Sequence, residues 1–147
     1  MSACPLSLMS SIHNLEPNAV PRILIVEDDP GVRRSLLLLF QGRGYYAKAH
    51  STADAALADA GAFNPDCLVI DYQLGSGNGI GLISALRFAG CSAPAILISA
   101  FGSADLAQRA GAAGFAQIFD KPLRAHRLLA AISSLLGEKS RVLQGRS

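Results

Sequence analysis

The chain has no tryptophan, and aromatic residues fill only 6% of its 147 positions, so no aromatic stripe interleaved with basic residues is available to stack on bases. Charged residues are sparse, at 16%, with a net charge of +2 and no long basic run, which excludes the electrostatic footprint of a nucleic-acid binder. Cysteine is scarce. Cys4, Cys67 and Cys91 are odd in number and show no CxxC spacing, so they predict neither a disulfide framework nor a zinc site, and thiols of a cytoplasmic protein are expected. No apolar run approaches the roughly 18 residues that cross a bilayer, so no membrane association is expected. Residues 1–20 lack a basic n-region and hold only a broken apolar stretch, so they read as a flexible extension and not as a signal peptide.

What is present is apolar material, half of all residues, enough for one domain with a real core. Arg22 to Val26 (RILIV) is short, apolar and β-branched, as a strand covered on both faces should be. Pro30 suits a helix's first turn, with Asp29 as its N-cap, Val32, Leu36, Leu39 and Arg43 recur at helical spacing, and Gly42 and Gly44 end the helix. Tyr45 to Ala49 predicts a second strand, and Ser51 with Asp54 predicts a capped helix to about Ala60. Cys67 to Ile70 (CLVI) is a third strand, followed by Asp71, a Gly75 to Gly79 loop and a helix through Leu82, Ile83 and Leu86. Ala95 to Ser99 (AILIS) is a fourth strand, Ser103 caps a helix to Ala110, and Ala116 to Phe119 is a fifth strand. A last helix is expected from about Arg124 to Leu136, ended by Gly137.

Strict alternation of buried strands and helices predicts an α/β, flavodoxin-like, doubly wound parallel sheet of five strands in the order 2-1-3-4-5, with helices on both faces. The organisation expected is an extension over 1–20, a folded unit over 21–137 and a polar tail over 138–147. Sites in such sheets lie at the carboxyl ends of strands, which gathers Glu27, Asp28, Asp71, Ser99 and Lys121. Several carboxylates in one place require a counter-charge. Magnesium, which takes oxygen ligands and shares carboxylates with phosphates, fits an open acidic pocket. Asp71 is then both a ligand and an attacking group able to form an acyl phosphate, while the Ser99 hydroxyl and the Lys121 ammonium supply donors to phosphoryl oxygens.

These residues resemble the receiver domain of bacterial two-component response regulators, of the chemotaxis type. The resemblance covers about Pro21 to Gly137 and rests on ILIVEDD at the first strand, LVID with Gly79 at the third, ILISA at the fourth and DKP after the fifth. It implies that Asp71 is the phosphoacceptor, that Glu27 and Asp28 hold magnesium, and that Gln73 lends a backbone carbonyl to the metal. It further implies that Ser99 is the switch hydroxyl and Lys121 the phosphate-binding lysine, before a cis peptide to Pro122. The implied donor is a phosphohistidine on a sensor kinase or phosphotransfer protein, and the implied output is contact with a downstream protein, with homodimers an option. Only ten residues follow Gly137, too few for a DNA-binding output domain if the chain ends there.

Three positions depart from the family pattern. Gly75 stands where a proline is common, so a looser loop is expected. Ile118 stands at the switch aromatic and has neither ring nor hydroxyl, which argues against aromatic-coupled switching. Gln73 projects where a side chain could influence attacking water. Rival readings are a pseudo-receiver that only binds partners, opposed by Asp71, Ser99 and Lys121, and a magnesium-dependent phosphohydrolase, opposed by Gln73 where such enzymes need a second acid. The glycines at 75, 77, 79 and 81 fit no GxGxxG, and His13, His50 and His126 lack ligand spacing and are expected at the surface. The run Leu36 to Phe40 is too continuous for one narrow face: it is either broadly buried or presents apolar surface, where the family's kinases dock.

Overall fold

Five apolar runs pair into a single sheet in the computed structural model, which describes residues 20–75 and 77–145. The strands are β1 (Arg22–Val26), β2 (Tyr46–His50), β3 (Cys67–Asp71), β4 (Ala95–Ser99) and β5 (Gln117–Asp120). All four pairings are parallel and give the spatial order 2-1-3-4-5, the flavodoxin-like order expected. The helices are α1 (Pro30–Gly42), α2 (Ala53–Phe63), α3 (Gly79–Phe88), α4 (Ala104–Ala113) and α5 (Ala125–Gly145).

Side chains alternate along a strand, so each central strand feeds two cores. Leu24, Val26, Leu68, Ile70 and Leu97 join one layer with residues of α2, α3 and α4. Ile23, Ile25, Val69, Ile96 and Ile98 join the other with Leu36 and Phe40 of α1 and Leu128 and Ile132 of α5. Each such side chain stabilises the fold by about 1.5–3 kcal/mol relative to exposure, which is why β1, β3 and β4 carry almost nothing else. Along α1 both expectations are met in part: Leu36 and Phe40 are buried, Leu37 and Leu39 are partly so, and Leu38 is exposed.

Local signals fix most element starts. Asp29 caps α1 by accepting from the amides of Gly31 at 2.8 Å and Val32 at 3.2 Å, and Ser103 caps α4 through the Leu106 amide at 3.0 Å. Four expectations are corrected. The cap of α2 is Thr52 and not Ser51, because helical geometry begins at Ala53 and the Thr52 hydroxyl reaches the Ala55 amide at 3.1 Å. The last helix does not stop at Gly137 but continues to Gly145, so the expected tail over 138–147 is helical over its described part. The loop at Gly75 is not open coil: Gln73–Leu74 and Gly77–Asn78 pair as a short antiparallel ribbon, and Gly75 has φ +68°, which proline's ring forbids. His50 is not a free surface residue, since its Nε2 lies 2.9 Å from Asp59 Oδ2, which Lys48 shares at 2.9 Å.

His126 is exposed as expected, and His13, Cys4 and the extension up to residue 19 lie outside the described residues. Cys67 is buried, which pushes its thiol up to about 12, so it is an inert core residue. Among the described residues no helix is long and apolar enough to cross a membrane.

Candidate functional site

The order of strands reverses between β1 and β3, and the crevice beyond their carboxyl ends receives the acidic residues. Glu27 follows β1 and is 1% exposed, Asp71 closes β3 at 3%, and Ser99 closes β4 at 2%, three polar groups in an otherwise apolar interior. Asp28, the next residue along, is exposed and opens the cluster to solvent. One carboxylate oxygen from each of Glu27, Asp28 and Asp71 lies within 4.8 Å of the others. Lys121, after β5, places its Nζ 3.2 Å from Glu27 and 3.4 Å from Asp71. Residues 27, 71 and 121 thus meet, although 94 positions separate the first from the last.

The Lys121 ammonium is 3.2 Å from both Glu27 oxygens, but its hydrogen bond goes to Oε2, which also accepts from the Asp29 amide at 3.1 Å. Glu27 Oε1 is buried and accepts no hydrogen bond. The Lys121 ammonium 3.2 Å away ion-pairs with that oxygen but leaves it short of a hydrogen bond, which a buried carboxylate oxygen needs. Burial, and then the neighbouring Asp71 carboxylate, raise the Glu27 carboxyl from 4.5 to about 7, against the opposing pull of the Asp29 amide and Lys121. For Lys121, burial works to lower the pKa, but the hydrogen bond and charge of Glu27, together with Asp71, raise it above 10.5. The orphaned oxygen, the all-carboxylate donor set and the exposed third member fit a hard divalent cation that keeps part of its water shell.

Backbone contacts lock these groups in place. Gly79 starts α3 against β3: a Cβ there would lie 2.7 Å from the Asp71 carbonyl oxygen and 2.9 Å from side-chain atoms of Ile70 and Leu97, so only glycine fits. The Lys121 amide donates to the Ser99 carbonyl at 2.8 Å, tying the lysine to the serine, and the Lys121-Pro122 peptide is cis, as the resemblance implies. Ser99 Oγ accepts from the Phe101 amide at 3.2 Å. Gln73 is exposed, two residues past Asp71 at the start of the ribbon. Asp29 serves as a helix cap, as read from its position. Ile118 is partly buried against the α2–α4 core layer.

Sequence reasoning missed Arg33. Its Nη1 donates to the Glu27 carbonyl at 3.0 Å and, more weakly, to that of Asp28 at 3.4 Å, so α1 clamps the backbone that carries two of the three carboxylates. The signal available was an arginine one turn into the helix that follows an acidic run.

Comparison with known proteins agrees with this geometry. Residues 23–133 match the response regulator receiver domain family. The response regulator protein TmoT of Ectopseudomonas mendocina is 35% identical over 114 residues, covering 78% of this chain and 52% of that protein. The transcriptional regulatory protein FixJ of Azorhizobium caulinodans is 30% identical over 131 residues, covering 88% of this chain and 60% of that protein. The chain therefore spans between about half and three fifths of the length of these relatives. A CheY-like receiver domain protein from Methanospirillum hungatei superposes with a TM-score of 0.77 at 24% identity, covering 83% of this chain and 98% of that one. With the strand order and the family match in agreement, the chain belongs to the response regulator receiver domain family.

Proposed function

We propose that this receiver unit, over residues 21–137, accepts a phosphoryl group on Asp71 from a phosphohistidine of a sensor kinase or phosphotransfer protein in the cytoplasm. The single observation that carries the reading is the meeting of Asp71 with Glu27, Asp28 and the Lys121 ammonium in one crevice. In the transfer, an Asp71 carboxylate oxygen forms a bond to phosphorus, the donor's P–N bond breaks, and its electron pair leaves on the imidazole. Glu27, Asp28 and Asp71, with the Gln73 carbonyl, would hold magnesium, which when bound neutralises charge on the incoming phosphoryl group and eases the approach of two anions.

Lys121 is the fixed cation of the site. Its ammonium already lies 3.4 Å from Asp71, where it can donate to a phosphoryl oxygen. Ser99 offers the second donor. To serve, its hydroxyl turns from the Phe101 amide toward Asp71, and the segment from Ala100 to Ser103 follows. A downstream protein then reads the altered surface, so the unit acts as a signalling domain whose catalysis is confined to its own modification. Intact mass after treatment with acetyl phosphate tests this. Wild type with magnesium is expected to gain one phosphoryl group, whereas wild type without metal and Asp71→Asn with it gain none. Wild type that stays unmodified in magnesium would overturn the reading in favour of a pseudo-receiver.

A further inference from the structure

Tyr72, the residue after Asp71, has its backbone pinned on both sides. Its amide donates to the Ile98 carbonyl at 2.7 Å, and its own carbonyl accepts from the Gly79 amide at 2.8 Å. Its ring is partly buried against the α2–α4 core layer, and its hydroxyl accepts a 2.8 Å hydrogen bond from Arg109 Nη2 on α4. The Arg109 guanidinium also lies 5.7 Å from the ring centroid, and its Nη1 is 3.7 Å from Asp105 Oδ2 one turn earlier. Helix α4 has little else to hold it, since of its ten residues only Leu106 and Ala110 are buried. Ile118 cannot contribute a ring or hydroxyl contact there.

We propose that Tyr72 and Arg109 form a tether that holds α4 against the phosphoacceptor segment and opposes the phosphorylated arrangement. It rests on Asp71 being the phosphoacceptor. Swinging Ser99 toward Asp71 breaks the bond to the Phe101 amide and moves the segment that ends in Ser103, the N-cap of α4. Tyr72 cannot follow, because β4 and α3 hold its backbone. Helix α4 therefore shifts against Tyr72 and strains the Arg109 link. Coupling between two sites is reciprocal in binding free energy, so a link that resists the movement of α4 also weakens occupancy at Asp71. Both are positioning residues, and neither touches the reacting atoms.

The test uses the full chain as wild type, Tyr72→Phe, Arg109→Met and the double variant. Methionine keeps most of the apolar stem of arginine and removes its donors. Two quantities are read: amide exchange across residues 104–113 without phosphodonor, and the half-saturating concentration of beryllofluoride, a phosphoryl mimic, in magnesium. Each single variant is expected to speed exchange in α4 and to tighten beryllofluoride binding by about two- to threefold, the low end for one hydrogen bond because the contact is exposed. The double variant should change no further than the stronger single, since both remove one link. Additive effects, unchanged exchange, or faster exchange with unchanged beryllofluoride binding would each overturn the tether. Acetyl phosphate labelling of wild type separates the two readings: an unmodified wild type sinks the phosphoacceptor assignment and the tether together, whereas a modified wild type with indifferent variants sinks the tether alone.

Discussion

Replacing Glu27 with glutamine tests the site without any phosphodonor. The folded chain raises this carboxyl from 4.5 to about 7, chiefly by burial and then by Asp71. A raised acid keeps its proton in the folded state after the unfolded chain has released it, so stability falls as pH rises from 4.5 to about 7 and stays low above that. The rise from 4.5 to about 7 corresponds to about 3 kcal/mol at the high-pH end. Three other shifted groups lie outside this window, the buried Cys67 thiol at about 12 among them. Asp59 is lowered from 3.8, first by its hydrogen bond with His50 and then by Lys48, so its contribution is present above 3.8 and lost below. Lys121 is raised above 10.5, and its contribution is present below 10.5 and lost as pH climbs through the folded value. Between pH 5 and 8 Glu27 is thus the group to watch. Urea midpoints without magnesium should fall across that range for wild type, while Glu27→Gln stays flat and exceeds wild type by about 3 kcal/mol at pH 8. Magnesium should recover much of the wild-type loss and leave the variant unmoved. Parallel pH profiles for the two proteins would refute the assignment of Glu27 as a buried, undercompensated carboxylate.

Two further substitutions probe the scaffold around the carboxylates. Gly79→Ala forces a Cβ to within 2.7 Å of the Asp71 carbonyl oxygen, so the urea midpoint should drop by the equivalent of about 1–3 kcal/mol, and an unchanged midpoint would show that α3 can retreat freely. Arg33→Gln removes the clamp on the Glu27 and Asp28 carbonyls, and calorimetry should show magnesium affinity weakened by about tenfold with the fold intact. Equal affinity would reduce Arg33 to a surface contact.

The central strands were legible because burial on both faces leaves only apolar residues to choose from, and β1 and β4 begin and end where their runs do. Edge strands carry a weaker mark. β2 mixes Tyr46, Lys48 and His50 with two alanines, and β5 has Gln117 and Asp120 at its ends, so each lies one residue later than the pattern suggests. Helix ends failed where neighbours offered equal chemistry. Ser51 and Thr52 are adjacent hydroxyls, and only the phase of the helix decides which one caps it. Gly137 failed for a different reason: a glycine within a helix costs only about 1 kcal/mol relative to alanine, which a continuing helix can absorb.

The carboxylates and Lys121 were legible through topology alone, since a parallel sheet sends the ends of its strands to one edge whatever their separation along the chain. Long side chains that cross between elements leave no such trace. Arg33 reaches back to carbonyls that any residue would present, and Arg109 meets a hydroxyl 37 positions away. Motif matching sees Ile118 as a missing aromatic, yet it cannot see that Tyr72 puts a phenol beside α4. A ring on the residue after Asp71 and a polar contact from it to α4 are both present in this chain, which is why the proposed coupling of site to helix is sought in the Tyr72–Arg109 pair and not at position 118.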